Sequence, residues 1–595
     1  MATTAEIRAQ LTEPGGPFEV VTEVVDGVEM KVYKDRFRSL REVAAMASAH
    51  GDKTFIVHGD RRISFADFVA QANSVSAALA GRFGVAPGDR VAVLSANNPE
   101  WCLAFWGTVD IGAVLVGLNG WWKTDEILYG LTDSGAKVLV ADARRYERIA
   151  DAVAGGAAPA LEAVFLVDAD PERFGGGPLL HRFDELTASP ATGLPSTPVD
   201  EGDPAVIFYT SGTTGRPKGA ISTHRSMVAN LQNTVFNTVL GSLTDAGDPL
   251  ASAATNAGVL GGVDGGVDGG PQGGGAPSEP AALFTSPLFH VSGCHSTLVV
   301  GFMAGLKLVM PEGRFDPETA LRLIQDERIT IWATVPTMVW RVCEHPARHD
   351  FDTSTVTSVA FGGSPSADEL QRKVRETFPN VRSTSNAYGL TETSSVATVI
   401  SGADALAKPT SVGPPMPVVD VRVVDAQGHD AGPGETGEVL IKGPIVMPGY
   451  WGKPDATAEV LRDGWLRTGD LGHLDEDGYL YITDRAKDMI IRGGENVYCV
   501  EIENRLVEHP KIADAAVFGI PHAELGEEVK AVVQVEPGET ITPAEVRAWV
   551  AAALADFKVP AHVEIGTGKL PRNASGKLLK NVLRGTGDVP LAEIL

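Results

Sequence analysis

Cysteine is scarce in this chain, with four residues in 595 and no pair at CxxC spacing. This excludes a disulfide framework and a zinc site of the usual cysteine spacing, and it predicts reduced thiols that pack in the interior. Basic residues are also outnumbered, because 50 lysines and arginines face 76 aspartates and glutamates, which gives a net charge of −26. Such an acidic chain is not expected to bind nucleic acid or an anionic membrane surface.

Long apolar runs are missing as well. The most apolar stretch, residues 298–310, is short and contains Lys307, so it predicts a core segment rather than a membrane span. The first residues lack a basic segment followed by an apolar one, so no signal peptide is predicted. Together with the scattered cysteines, this leads us to expect a cytoplasmic protein without a transmembrane segment.

The pattern of strands and helices predicts an α/β protein of several domains, since 595 residues are too many for one compact core. Predicted strands at 54–57, 90–95, 113–117 and 137–142 alternate with predicted helices at 64–81 and 99–111, which is typical of parallel sheets covered on both faces. From residue 487 onward the pattern is that of a small α+β module, with helices at 500–509 and 543–555 and strands at 513–520 and 529–535. We therefore expect domains at 1–486 and 487–595.

A glycine-rich insert interrupts the first of these domains. Residues 241–280 contain Gly-Gly-Val-Asp twice and lack lysine, arginine and aromatic side chains. Such a segment cannot bury enough apolar surface to order itself, so a solvated, disordered loop is predicted.

The stretch 209–219, rich in hydroxyls and glycines, follows the apolar residues 205–209, which predict a buried strand. Glycines let backbone amides gather around an anion, hydroxyls add donors, and a lysine supplies mobile positive charge. The Walker string is absent from the chain, so a different nucleotide chemistry is implied. The candidate polyphosphate-binding residues are Thr210, Ser211, Gly212, Thr213, Thr214, Gly215 and Lys218.

Four further motifs follow this loop in the chain. Residues 386–392 offer an aromatic face, a glycine for close approach, a hydroxyl and a carboxylate, and residues 465–470 are expected to place Asp470 on a tight turn. Residues 484–488 lead into 491–496, and the motif of residues 571–577 ends at Lys577.

With these five motifs in this order, the chain resembles the adenylate-forming superfamily of acyl-CoA synthetases, adenylation domains and beetle luciferases, from about residue 30 to 585. The resemblance implies a large N-terminal domain of stacked α/β sheets with a distorted β-barrel. It also implies a small mobile α+β domain, hinged at Lys487, that carries the adenylation lysine.

The same resemblance implies roles for individual residues. The loop up to Lys218 would hold the β- and γ-phosphates of ATP, Thr391 and Glu392 would contact the α-phosphate and Mg²⁺, and Lys577 would bridge the carboxylate and the α-phosphate. As catalytic residues we expect Lys577, Glu392, Thr391 and Lys218, with Glu392 as the metal ligand. The remaining residues of the ATP and AMP site would be Gly363, Ser364, Asn386, Tyr388, Gly389, Asp470 and Arg485.

The acyl and thiol sites are implied in the same way. His290 stands where amino-acid-activating domains carry aspartate, which favours a plain carboxylic acid, and Val335, Gly362 and Gly363 would line the acyl pocket. Trp332 and Met338 would line or flank it. After rotation of the C-terminal domain, the loop of Arg492, Gly493, Gly494 and Glu495 would approach coenzyme A.

The predicted enzyme is an AMP-forming acyl-CoA synthetase that uses ATP, Mg²⁺ and coenzyme A, with a medium- or long-chain fatty acid as the first choice of substrate. An aryl acid, or the carboxylated side chain of a larger ring system such as a steroid, is left open. The runner-up is an acyl-AMP ligase that loads a carrier protein. A homodimer is left open, and the partners expected are otherwise the small-molecule acid, ATP and coenzyme A.

Overall fold

The computed structural model describes residues 3–191, 198–210, 216–244, 279–362, 368–486, 488–492, 495–522, 524–572 and 578–585. The strands, in chain order, are β1 Val20–Val25, β2 Val28–Tyr33, β3 Thr54–His58, β4 Arg61–Ser64, β5 Arg90–Leu94, β6 Val114–Gly117, β7 Val138–Asp142, β8 Ala163–Val167, β9 Leu180–Arg182, β10 Pro204–Thr210, β11 Lys218–Thr223, β12 Ala281–Leu283, β13 Lys307–Met310, β14 Ile331–Thr334, β15 Ser358–Gly362, β16 Ser383–Tyr388, β17 Thr398–Ile400, β18 Asp420–Val424, β19 Gly437–Lys442, β20 Leu461–Arg462, β21 Trp465–Leu474, β22 Leu480–Arg485, β23 Ile490–Arg492, β24 Glu495–Val497, β25 Ile512–His522, β26 Gly526–Val535 and β27 His562–Gly566.

Helices lie between most of these strands. The α-helices are Thr4–Thr12, Leu40–Ala47, Phe65–Gly81, Pro99–Val109, Thr124–Ser134, Ala143–Tyr146, Ala150–Ala154, Asp184–Thr187, His224–Thr244, Val291–Gly293, Val300–Ala304, Pro317–Asp326, Pro336–Cys343, Asp368–Thr377, Gly402–Ala407, Pro454–Val460, Cys499–Val507, Pro543–Ala551 and Lys580–Leu583. Short 3₁₀ turns are Ser48–His50, Pro171–Phe174, Pro346–Asp350, Thr391–Thr393 and Asp556–Lys558, and Cys294–Val299 forms a π-helical turn.

Two large sheets form the N-terminal part. The first has the strand order β11-β10-β6-β5-β7-β8-β9 and is parallel except where β10 and β11 pair. The second has the order β17-β16-β15-β14-β12-β13-β3-β4 and is antiparallel only at its two edge pairs. Their central strands are mostly buried and rich in apolar residues, as expected of strands covered on both faces, and this confirms the predicted parallel α/β organisation.

Two smaller sheets follow. Strands β18 to β22 form an antiparallel half-barrel, which corresponds to the expected distorted barrel. Strands β23 to β27 form the sheet of the C-terminal part, whose core includes the helices Cys499–Val507 and Pro543–Ala551. The predicted boundary at residue 487 stays a prediction, and Lys487 lies outside the described residues.

All four cysteines are buried and free, as their scatter predicted. The apolar stretch around residues 298–310 is a core segment, with Leu298, Val299 and Leu308 fully buried. Within the described part of the chain, no helix has both the length and the apolar character that a bilayer crossing requires.

The predicted helices and strands are confirmed with boundary shifts of a few residues. Ser64, for example, caps the helix Phe65–Gly81 by accepting a hydrogen bond from the backbone of Asp67. The helix His224–Thr244 overlaps the start of the predicted insert, and residues 245–278 lie outside the described part of the chain.

The tight turn predicted at residues 465–470 is wrong. These residues belong to β21, which pairs with β19 and β22, and only Gly469 departs from strand geometry, with a φ of +69°. The register between β19 and β21 shifts here, between Arg467 and Leu471, and a left-handed glycine is typical of such a bulge. Pairing continues on both sides of it, so Asp470 is held in a sheet rather than on a turn.

Candidate active site

The carboxyl ends of parallel strands from both large sheets carry most of the predicted site residues. In the first sheet β10 ends at Thr210, and in the second β14, β15 and β16 end at Thr334, Gly362 and Tyr388. Such strand ends are where α/β proteins usually bind ligands. Asn97, which follows β5, joins the two sheets here: its amide donates to Ser286 O (2.8 Å) and accepts from Leu288 N (2.9 Å).

The described ends of the phosphate loop are firmly held. Thr210 and Lys218 pair across β10 and β11, so the intervening residues form the connection between two hydrogen-bonded strands. Tyr129 donates to Pro217 O (3.1 Å), and Asp133 accepts from Tyr209 (3.0 Å) and pairs with Lys453 (2.7 Å). The loop residues Ser211, Gly212, Thr213, Thr214 and Gly215 lie outside the described part of the chain.

Tyr388, Asp470 and Arg485 form one contiguous set, as we expect if all three bind the nucleoside part of ATP. The Tyr388 hydroxyl donates to Asp470 Oδ2 (2.7 Å), and Arg485 Nε lies 3.0 Å from Asp470 Oδ1. Burial raises the pKa of Tyr388, and the nearby Asp470 raises it further, so the phenol keeps its proton and remains a donor. Asn386, two residues earlier, is buried and donates to Ser411 O (3.2 Å), which fixes the end of β16.

The turn after β16 places Thr391 and Glu392. A side chain at Gly389 is sterically impossible, because a Cβ there would lie 1.5 Å from Ser395 O. The glycine therefore lets two backbone segments of this turn approach each other, and its role at the nucleotide stays a prediction. Ser394 and Ser395 have φ angles of +51° and +111°, which non-glycine residues rarely adopt.

Buried polar contacts hold this strained turn in place. Ser394 Oγ lies 2.8 Å from Ser226 Oγ, and Ser394 O lies 3.1 Å from His295 Nδ1. Val396 N donates to Asn230 Oδ1 (3.1 Å). Burial lowers the pKa of His295 to about 4, so the ring is neutral at working pH and Nδ1 can donate to the carbonyl.

Glu392 and Lys218 meet at one side chain, Tyr450. The Tyr450 hydroxyl donates to Glu392 Oε1 (2.9 Å), and Lys218 Nζ lies 5.2 Å from the centroid of the Tyr450 ring. The backbone joins the same three segments, because Met447 N donates to Glu392 O (2.8 Å) and Trp451 N donates to Gly219 O (2.7 Å). A cation and a carboxylate that belong to distant motifs are thereby brought to one place.

The predicted acyl-pocket residues lie near the same sheet edge. His290 is half-buried and its ring accepts from Ser292 N (3.4 Å) at the start of the short helix Val291–Gly293. Val335 and Gly362 follow or end neighbouring strands and are half-buried, whereas Gly363 and Ser364 lie outside the described residues.

Trp332 does not line this region. It is fully buried in the core between Phe315 and Phe378, and its indole donates to Thr285 Oγ1 (3.0 Å). Alternation along β14 turns Trp332 toward the helical layer, so it can support the pocket only from behind.

The candidate thiol loop is a hairpin of the C-terminal sheet. Arg492 and Glu495 pair across β23 and β24, with Gly493 and Gly494 between them outside the described residues. Arg492 forms a two-pronged ion pair with Glu528 (2.6 and 3.1 Å), while Glu495 is exposed. Lys577 also lies outside the described part, but its flanks are fixed: Arg572 pairs with Asp514 (2.7 Å) and Lys580 with Glu503 (2.9 Å).

Glu392 offers one oxygen for a metal ion. In the described residues no hydrogen bond reaches its Oε2, and no group of three or more histidines, cysteines and acidic residues is placed to hold a metal. A site with one protein carboxylate fits Mg²⁺ that arrives with ATP, since this ion is usually held by one or two carboxylates plus phosphates and water.

Sequence reasoning missed Tyr450, Asn97 and the left-handed pair Ser394 and Ser395. Tyr450 follows Gly449 in a short aromatic run before Pro454, which is a weak signal because aromatic residues are most often core residues. No sequence signal announces a left-handed serine, so that feature had to come from the structure.

The comparisons with known proteins agree with this site. The profile described as "AMP-binding enzyme" matches residues 43–451, and the profile "AMP-binding enzyme C-terminal domain" matches 501–577. The chain is 34% identical to a feruloyl-CoA synthase of Amycolatopsis sp (89% of this chain, 95% of that protein) and 33% identical to the long-chain-fatty-acid–CoA ligase FadD13 of Mycobacterium tuberculosis (88% and 93%).

A fatty acid–[acyl-carrier-protein] ligase, ScoC of Streptomyces coeruleorubidus, is 32% identical (93% and 97%). Among solved structures, ATP-bound MatB of Rhodopseudomonas palustris superposes with a TM-score of 0.74 at 30% identity, over 91% of this chain and 98% of that one. The matched profile covers most of the chain, and the relatives are matched over nearly their whole length. The chain therefore belongs to the AMP-binding, adenylate-forming enzyme family, in which it is an acyl-CoA synthetase.

Proposed function

We propose that this protein activates a carboxylic acid in two steps at the site described above. In the first, the acid's carboxylate attacks the α-phosphorus of ATP, forms an acyl-adenylate and releases pyrophosphate. In the second, the thiol of coenzyme A attacks the acyl carbon, forms the thioester and releases AMP. The acid proposed is a medium- or long-chain fatty acid.

One observation carries this proposal: Lys218 and Glu392 meet at Tyr450, and Glu392 follows in the same short segment as Tyr388, which contacts Asp470 beside Arg485. The first pair suits a polyphosphate with its metal, and the second suits a nucleoside. An aromatic ring stacks on a base, and a carboxylate accepts hydrogen bonds from ribose hydroxyls. ATP requires both sets together, and residues 388–392 join them because they carry both Tyr388 and Glu392.

The chain's own groups supply the charge that the first step needs. Negative charge grows on the phosphate oxygens as pyrophosphate leaves, and fixed cations and aligned donors stabilise such charge best. Lys218 would bind the departing phosphates, and Thr391 would donate to the α-phosphate. Mg²⁺ held at Glu392 would neutralise phosphate charge.

Lys577 is proposed to bridge the acid's carboxylate and the α-phosphate only during the first step. Rotation about Lys487 would then withdraw it and bring the hairpin of Arg492, Gly493, Gly494 and Glu495 toward the thiol's path. One site would in this way serve two reactions through a domain movement.

The choice of a fatty acid rests on the similarity to FadD13. His290, Val335 and Gly362 are the residues proposed to line the acyl pocket. The feruloyl-CoA synthase is equally similar, so an aryl acid is the first competitor. Purified protein with ATP, Mg²⁺ and a panel of fatty, aryl and ring-bearing acids, with and without coenzyme A, tests this directly. Thioester identified by mass names the acid class, and an absence of turnover with every fatty acid would contradict our choice.

A second candidate is the loading of a carrier protein, which the similarity to ScoC favours. It predicts pyrophosphate release with the acyl-adenylate retained, and no thioester when coenzyme A is added to an active acid. Thioester formation on coenzyme A would exclude it as the main activity.

Replacing Lys577 tests the two-step assignment. Lys577→Ala should slow acyl-adenylate formation by about 10²-fold, because a transition-state charge partner is lost. It should leave thioester formation from supplied acyl-adenylate within about twofold of the wild type, since the lysine is withdrawn in that step. Pyrophosphate exchange and thioester formation are measured separately, and an equal loss in both would contradict the assignment.

A further inference from the structure

Tyr450 contacts two groups of opposite charge, and neither group has an ionic partner among the described residues. In the described part of the chain, neither Lys218 nor Glu392 forms a salt bridge, although both are half-buried and face the same phenol. An ammonium and a carboxylate this close to a common side chain would attract each other strongly in a partly dry site. Some structural feature must keep them from pairing.

The geometry points to Tyr450 as that feature, and we infer that it is a positioning residue that keeps Lys218 and Glu392 separate and available for MgATP. This inference rests on the proposed function and adds a residue to it. The ring faces the ammonium and the hydroxyl donates to the carboxylate, so one side chain gives each group a partner other than the opposite charge.

The strength of each contact suits a site that must exchange ligands. A cation above an aromatic ring is held weakly, so phosphate oxygens can draw Lys218 away. The hydroxyl donates only to Oε1 of Glu392 and so fixes the direction in which Oε2 points. Carboxylates that bind metal ions are commonly oriented in this way by a hydrogen bond to a neighbouring side chain. Burial raises the pKa of Tyr450, and Glu392 raises it further, so the hydroxyl remains a donor at every working pH.

Tyr450 is itself held rigidly. Ala220 and Tyr450 form a β-bridge, Ile221 N donates to Gly449 O (3.2 Å), and Tyr450 N donates to Thr457 Oγ1 (2.9 Å). These contacts fix the backbone of Tyr450 beside β11, the strand that begins at Lys218, so the ring projects from a fixed point next to that lysine.

The chain offers a matched control, because Tyr479 has the same surroundings away from the site. Its hydroxyl donates to Asp404 Oδ2 (2.8 Å), and Lys408 Nζ lies 4.5 Å from its ring centroid. Lys408, however, is already paired with Asp475 and Asp477. Tyr479→Phe therefore reproduces the loss of a hydroxyl between a lysine and a carboxylate without touching the proposed site.

The test is Tyr450→Phe, which keeps the ring and removes the hydroxyl. Equilibrium binding of ATP is measured by calorimetry in Mg²⁺ and in EDTA, and the ratio of the two affinities reports how well Glu392 is set for the metal. We expect this ratio to fall about tenfold or more in Tyr450→Phe and to stay unchanged in Tyr479→Phe. Acyl-adenylate formation should fall by a similar factor, with thioester formation from supplied acyl-adenylate unaffected.

Tyr450→Leu removes the ring as well and lets Lys218 approach Glu392. ATP affinity in EDTA should then fall too, because the ammonium is engaged by the carboxylate, and Lys218→Met in that background should restore part of the Mg²⁺ effect. Melting temperatures show whether each variant is folded. An unchanged affinity ratio in Tyr450→Phe, or an equal change in Tyr479→Phe, would overturn the inference. If the wild type itself neither binds ATP nor forms an adenylate, the proposed function fails instead.

Discussion

Tyr450 and Tyr479 sit in nearly identical surroundings, yet the charges beside them differ in one respect. Each phenol donates to a carboxylate, Glu392 or Asp404, and each ring lies under a lysine. Lys408 beside Tyr479 also pairs with Asp475 and Asp477, whereas within the described residues Lys218 beside Tyr450 has no acidic partner. The charge of Lys408 is therefore already balanced without a ligand, whereas that of Lys218 is not balanced by any described residue.

The two tyrosines respond alike to their surroundings, which makes the difference between the lysines more informative. Burial and the adjacent Asp404 raise the pKa of Tyr479 to about 12, and burial and Glu392 raise that of Tyr450. Both hydroxyls are therefore donors at neutral pH. The comparison teaches that, of these two matched sites, the one whose lysine lacks an acidic partner among the described residues is the one suited to bind a charged ligand.

The largest expected effect is that of Glu392→Gln, which removes the unpaired carboxylate but keeps its shape. We expect acyl-adenylate formation to fall by about 10²-fold, because the metal ligand and its charge are both lost. Thermal stability should not fall, since the carboxylate has no ionic partner in the described residues. Pyrophosphate exchange and a melting curve measure the two quantities.

Asp404→Asn is the matched control for this change, since Asp404 accepts from Tyr479 just as Glu392 accepts from Tyr450. It should leave the exchange rate within about twofold of the wild type. Loss of activity in Asp404→Asn, or full activity in Glu392→Gln, would break the contrast between the two tyrosine sites.

Asp470→Asn asks whether a charge that is already paired can also be functional. Asp470 is almost completely buried and engages both Tyr388 and Arg485. Asparagine can keep one acceptor, but it leaves Arg485 without its counter-ion, so we expect KM for ATP to rise about tenfold. Because the nucleotide is bound in both steps, both half-reactions should weaken together, unlike the effect of Glu392→Gln.

The control for this prediction is Glu327→Gln, which weakens a comparable ion pair with Arg62 and Lys307 away from the site. It should lower thermal stability and leave KM for ATP unchanged. If Asp470→Asn also lowered thermal stability and left KM for ATP unchanged, Asp470 would be a structural residue. A charge that already has a partner would then be structural at Asp470, as it is at Lys408.

Whether a feature of the fold or of the candidate site can be predicted from the sequence depends on how far apart along the chain the contacting residues lie. Thr210 and Lys218 were identified correctly as flanks of one loop, because a strand ending in glycines and hydroxyls is a local pattern, and β10 and β11 confirm it. The sequence does not reveal the role of Tyr450, because its partner Glu392 is 58 residues away and Lys218 lies on β11, much earlier in the chain. A single sequence does not reveal which strands will pair at that range.

The errors have equally specific causes. Gly469 suggested a turn at Asp470, but ladder pairing on both sides with β19 and β22 holds the segment as a strand despite its positive φ. Trp332 is expected to line or flank the acyl pocket, but alternation in a parallel strand buried on both faces sends its side chain into the core, which leaves it only the flanking position. In both cases the prediction follows from the types of neighbouring residues, whereas the observed position is set by strand pairing in the folded chain.

The smallest effect is expected where the charges are already paired, in Lys408→Met. Methionine keeps the apolar stem above Tyr479 and loses the ion pairs with Asp475 and Asp477. Ion pairs this close to solvent contribute little, so the melting temperature should fall by less than about 2 °C, and the fall should shrink in high salt, which screens them. Pyrophosphate exchange should match the wild type within about twofold.

The equivalent change at the site, Lys218→Met, should do the opposite: it removes no ion pair seen in the described residues, so stability stays the same while ATP binding weakens. Equal behaviour of the two lysine variants, in either assay, would show that the missing partner at Lys218 carries no functional meaning.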